Sequence, residues 1–200
     1  MKTIATFETL QITMELQDLI TVYSEKTPNP ESMKFVANKM ILPNDSIDFR
    51  TNEGVDECPM AKELFGFDFV KGVFIMNNFV SVTKKSGFEW FDIIPELKAF
   101  VQAYLEAEKP IVVLRETLTD EEESEVVIKI KQLLEDHVRP AVEMDGGAID
   151  FKSFEEGIVT VTMKGSCSGC PSSTLTLKAG IENLLKRMIP EVDAVEAEAA

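Results

Sequence analysis

The chain has 200 residues, 44% of them hydrophobic, which is long for one small domain and comfortable for two. Acidic residues outnumber basic ones 35 to 20, a formal charge of -15, and this argues against nucleic acid as a partner because phosphate neutralisation needs a basic face. Three cysteines do not make a secreted disulfide scaffold, no apolar run approaches the roughly 20 residues that span a bilayer, and the start lacks an apolar signal core, so a cytoplasmic protein with no membrane association is expected.

In the first half, residues 19–23 and 33–36 read as strands around Thr27-Pro28-Asn29-Pro30, whose prolines and Asn favour a turn. Pro59 opens a short helix over 59–65. Residues 70–76 and 79–83 form a hairpin through Asn77-Asn78, a pair that tolerates left-handed geometry. Ile94, Leu97, Val101, Tyr104 and Leu105 recur at helical spacing and close an α+β domain, assigned to residues 1–113.

Residues 114–120 read as an acidic linker, and Thr119 with Glu122 as a capping box at the start of the next helix. Val126, Val127, Ile130, Leu133, Leu134 and Val138 define that helix, which Pro140 is expected to stop. Asp145-Gly146-Gly147 supplies a turn, and two strands over 149–154 and 158–163 are joined by Glu155-Glu156-Gly157. Val159, Val161 and Met163 alternate with Thr160 and Thr162, as one buried and one polar face require. Leu177, Ile181, Leu184, Leu185 and Met188 mark a last amphipathic helix, and residues 192–196 add a closing strand. Residues 121–200 are thus a second domain, helix-strand-strand-helix with a further strand. The fold class is α+β: two small two-layer domains joined by a short linker.

Cys167 and Cys170 stand between the second strand and the last helix, in Gly165-Ser166-Cys167-Ser168-Gly169-Cys170-Pro171. Pro171 suits the first helical position, making Cys170 the N-cap and placing both sulfurs at the positive end of the helix, where thiolate is favoured. Thiolates at this spacing serve either as metal or cluster ligands or as a redox pair. Zinc would need four ligands, and the only histidine, His137, lies at the edge of its helix's apolar face and reads as a surface or interface residue. A dithiol-disulfide oxidoreductase remains the alternative, although its motif is expected near a βαβ unit and not after a hairpin. Two copies of the pair would give four thiolates, the complement of a 4Fe-4S or 2Fe-2S cluster on a two-fold axis.

The run Val138-Arg139-Pro140-Ala141-Val142, then Asp145-Gly146-Gly147, then the cysteine loop with its Ser/Thr/Leu-rich helix, resembles the C-terminal domain of NifU-like (Nfu-type) iron–sulfur cluster proteins. Thr27-Pro28-Asn29-Pro30, Met33-Lys34-Phe35, residues 61–65, the 70–83 hairpin and Trp90 are similar to the domain that precedes it in many members. The resemblance implies a non-enzymatic scaffold or carrier: a 4Fe-4S cluster, with 2Fe-2S as a further form, bound by Cys167 and Cys170 of two protomers, received from assembly machinery and delivered to apo iron–sulfur proteins. Two departures stand out. Ala148 occupies a position where an acidic residue is common, and Cys58-Pro59 one where Ser-Pro is frequent, which raises Cys58 as a third thiol.

Overall fold

The computed structural model describes residues 19–112, 124–168 and 171–199. The predicted linker and the Thr119/Glu122 capping box lie outside these residues. The first half is a five-stranded antiparallel sheet, β1 (Val22–Lys26), β2 (Ser32–Ala37), β3 (Leu42–Phe49), β4 (Val70–Asn77) and β5 (Phe79–Lys84), in the order β1-β2-β5-β4-β3. The β4–β5 hairpin turns on Asn77 with φ 47°, as the Asn pair predicts. Strand β3, Leu-Pro-Asn-Asp-Ser-Ile-Asp-Phe, is an addition to the sequence reading. Its polar residues and proline hide it, and it sits at the sheet edge with a register shift between Leu42 and Ser46, where a missing N–H is tolerated.

Helices α1 (Pro59–Leu64) and α2 (Trp90–Glu106) cover one face of this sheet. Phe35 and Ala37 of β2, Val73 and Ile75 of β4, and Val80 and Val82 of β5 join Met60, Leu64, Leu97 and Val101 in that core. The side chains between them point the other way, as a period of two demands. Yet Lys34, Val36, Phe74, Met76, Phe79 and Ser81 are buried as well. An antiparallel sheet with one wet face would alternate; here the second face is covered by the C-terminal half, and Ala148 joins Val36, Phe74, Met76 and Phe79 in a small apolar cluster.

The second half begins with α3 (Glu125–Leu133), capped by Ser124, whose hydroxyl accepts from the Val127 N–H at 3.3 Å. Pro140 does not stop the helical path as the sequence suggests. A π-helical turn, Leu134–Val138, runs into a further helix, α4 (Arg139–Met144). The widened turn places Pro140 in the first turn of a new helix, where its missing N–H is not needed. Then come β6 (Gly147–Glu155), β7 (Ile158–Gly165), α5 (Pro171–Met188) and β8 (Ala194–Ala199). Strands β6 and β7 pair antiparallel through Glu156 and Gly157, both at positive φ, and β8 adds parallel to β7. Val159, Val161 and Met163 point into a core with Ile130, Leu134, Val142, Ile181, Leu185 and Val195. The fold is α+β in both halves, as the hydrophobic periodicity predicts.

Candidate metal centre

Strand register builds the site. Gly147 of β6 pairs with Gly165 of β7, so the Asp145-Gly146-Gly147 turn and the start of the cysteine loop lie side by side. Gly146 and Gly165 hold φ of 78° and 66°, a region closed to most side chains, and this is what bends the chain at both points. Ser166 ties the two segments: its N–H donates to the Gly146 carbonyl at 3.3 Å and its hydroxyl to the Asp145 carbonyl. A single 3-10 turn, Ser166–Ser168, then directs Cys167 inward.

Cys167 is 4% exposed and packs into the second core. Gly147 stands against its sulfur: a β-carbon there would lie 2.9 Å from Sγ and 2.6 Å from the Lys164 carbonyl oxygen. Cys170 and its predicted capping role fall outside the described residues, although α5 does begin on Pro171. Among the described residues no three His, Cys, Asp or Glu side chains converge on a point that could hold a metal ion. Of the two motif cysteines, the described residues include Cys167 alone.

Ser166 and Cys167 of this loop are both buried. The second face of the N-terminal sheet lies over it. The Gly165 N–H donates to Asp48 Oδ2 at 3.1 Å, Ser81 Oγ donates to the Gly146 carbonyl at 2.7 Å, and Asn29 Nδ2 donates to the Ser166 carbonyl at 3.4 Å. Burial pushes the Asp48 carboxyl up, while the Gly165 N–H and the charges of Arg50 and Lys164 act in the opposite sense. Asn29 stands out in sequence only as part of the Thr27-Pro28-Asn29-Pro30 turn, and Asp48 and Ser81 do not stand out, because each recognises loop backbone and not a motif side chain.

Cys58 is remote from this loop in packing. It is 0% exposed, stands at the N-cap of α1, and belongs to the helix-covered core of the first sheet, whereas Cys167 belongs to the second core. Burial pushes its thiol up and outweighs the Ala61 and Met60 amides that would favour thiolate. The chemistry of a buried, protonated thiol in another core does not suit a ligand. His137 is exposed on the π-helical turn, as its place at the helix edge predicts, and borders a groove with Val138, Ala141, Leu177 and Leu184.

Comparison with known proteins assigns both halves. A model described as the NifU-like domain matches residues 130–196, and one described as the scaffold protein Nfu/NifU N terminal matches residues 22–108. The chain is 40% identical over 180 residues to the Homo sapiens protein named NFU1 iron-sulfur cluster scaffold homolog, mitochondrial, covering 88% of this chain and 70% of that one. The chain belongs to the NifU-like iron–sulfur cluster scaffold family. Other relatives of this NifU-like protein are the Drosophila sechellia NFU1 homolog, 39% identical over 180 residues with 88% of this chain and 64% of that one covered, and the Arabidopsis thaliana NifU-like protein 4, mitochondrial, 40% identical over 185 residues with 88% and 65% covered. The chain thus spans a little under two thirds of the length of these last two. Their names overturn the cytoplasmic expectation, since these relatives are mitochondrial. A low cysteine count reports a thiol-reducing compartment, which the cytoplasm is not alone in being.

Proposed function

We propose that this NifU-like protein is a carrier that binds a 4Fe-4S cluster through Cys167 and Cys170 of two copies and delivers it to apo iron–sulfur proteins. The observation that carries the reading is the apposition of Gly147 and Cys167 at the end of a fixed hairpin. A glycine held against a sulfur keeps backbone close to it, so amide groups can approach cluster sulfides and a thiolate can be oriented without a bulky neighbour. Family membership supports the scaffold role, since the relatives are named for it. Four thiolates complete a cluster, one chain offers two in this motif, and a two-fold pair supplies the rest.

In this reading the domains are residues 1–113 and 121–200 with a linker over 114–120. The protein performs no reaction on its cargo: it holds iron and sulfide and releases them as a unit, and a 2Fe-2S cluster fits the same four thiolates. Cys167→Ser or Cys170→Ser should abolish iron and sulfide uptake in anaerobic reconstitution. Retention of full cluster content by either variant would sink the ligand assignment, and a colourless wild-type chain that cycles a Cys167–Cys170 disulfide would favour an oxidoreductase instead.

A further inference from the structure

We propose that the N-terminal sheet is a detachable cover for the cluster loop: the closed arrangement is the cluster-free monomer, and loading a cluster between two copies requires the two domains to part. The proposal rests on the carrier reading, because a cluster shared by two copies needs the loop to face a partner. In the closed chain the backbone beside Cys167, at Gly146, Gly165 and Ser166, is already bonded to the sheet.

The contact is specific to the loop. On the polar side, Ser81, Asp48 and Asn29 bond to the backbone of Gly146, Gly165 and Ser166. Around them, Lys34 Nζ donates to the Glu143 carbonyl at 2.9 Å, Asn77 Nδ2 donates to Glu143 Oε2 at 3.1 Å, and Lys164 Nζ reaches Ser46 Oγ at 3.3 Å. On the apolar side, the Phe74 ring sits against Gly165, where a β-carbon would come within 2.9 Å of it, and Ala148 fills the space among Val36, Phe74, Met76 and Phe79. The two left-handed glycines of the motif therefore serve twice, bending the loop and leaving room for the sheet. Ser166, whose carbonyl accepts from Asn29, is 2% exposed, while Cys167 is buried in the second core.

The same contact is built to separate. Among the described residues its buried apolar cluster is five residues, and around it are hydrogen bonds that water can replace once the surfaces part, the character of a transient inter-domain interface. Each half keeps its own core when they do. Ala148 makes this chain a good fit for closure: it is 0% exposed in the apolar cluster, at a position where the family resemblance leads one to expect an acid. A carboxylate there would have to shed its water to enter the apolar cluster and would favour the open form.

The test uses the full-length, cluster-free chain and two variants, Ala148→Asp and Ser81→Ala, neither of which touches a proposed ligand. Amide hydrogen exchange is followed residue by residue, reading separately Gly165, whose N–H is bonded across the contact to Asp48, and Leu97 within the first core. Removing the Ser81 bond to the Gly146 carbonyl, which keeps the Ser166 N–H, should speed exchange at Gly165 about tenfold in Ser81→Ala, and the desolvated charge should speed it further in Ala148→Asp, with Leu97 still protected. In anaerobic reconstitution with iron and sulfide both variants should load faster than wild type and reach the same final content. Equal Gly165 exchange in all three chains would overturn the cover, whatever their cluster content. If Ala148→Asp also exposes Leu97, it has unfolded and Ser81→Ala alone decides. Faster Gly165 exchange in chains that never take up iron would uphold the cover and reject the carrier reading.

Discussion

Gly147 and Cys167 touch in a way that admits no β-carbon: one placed on Gly147 would stand 2.9 Å from the Cys167 sulfur and 2.6 Å from the Lys164 carbonyl oxygen. The sulfur could move aside, but the carbonyl belongs to the β6–β7 ladder and cannot without breaking the register that pairs Gly147 with Gly165. Gly147→Ala should therefore lose about 1–3 kcal/mol of stability by overpacking and reduce cluster content by displacing Cys167. Chemical denaturation and iron per chain measure the two effects, and a variant unchanged in both would show that the site is looser than this contact implies.

Gly180 gives the opposite expectation from the same reasoning. It lies within α5 on an exposed surface, and a β-carbon there would meet nothing within 4 Å. Gly180→Ala should stabilise the protein by about 0.5–1 kcal/mol, through lower backbone freedom in the unfolded chain. Its cluster content should not change. A destabilised Gly180→Ala would mean that this helix face is covered by something.

Cys58→Ser should leave cluster content at the wild-type level. The Met60 and Ala61 amides that face the sulfur would serve a serine hydroxyl at the start of α1, so the stability loss should be about 1 kcal/mol or less. Iron analysis and a denaturation curve test both halves of this statement. A large fall in iron would make Cys58 a participant after all.

Tyr104 predicts an alkaline transition. Burial, with the nearby charges of Glu63 and Cys58, pushes its phenol up to about 12, and its hydroxyl donates to the Pro110 carbonyl at 2.7 Å. Above the ordinary value near 10 the unfolded chain gives up this proton while the folded chain keeps it, so the folded state binds more protons and stability must fall as pH rises. The contribution is complete below about pH 10 and gone above about pH 12. Absorbance of tyrosinate should show a step near the upper value that disappears in Tyr104→Phe, and a Tyr104 step near pH 10 would contradict its burial.

Much of this was legible in the chain because hydrophobic period and turn chemistry agree. The Asn77 and Glu156-Gly157 turns, the alternation from Val159 to Met163, and the helices around Leu97 and Ile181 all follow from such local rules. Strand β3 escaped because its pairing at a sheet edge does not need an apolar pattern. The π-helical turn before Pro140 escaped because a proline signals only that a helix must change there, and the fold widened a turn instead of ending the path. The covered loop is the larger lesson. Ser-Met-Lys-Phe-Val-Ala in β2, and the unbroken apolar stretch of β4, show a sheet buried on both faces, the signal that something packs on the side away from the helices. What packs there is decided by the shape of Gly146 and Gly165, and no one-dimensional pattern records shape.

The central claim is a cluster held between two copies by Cys167 and Cys170. Native mass spectrometry of the anaerobically reconstituted full chain, with iron and acid-labile sulfide measured on the same sample, tests it most directly. The account predicts a dimer carrying four iron and four sulfide, about one cluster per two chains. A monomer with a full cluster, or a dimer with none, would contradict it.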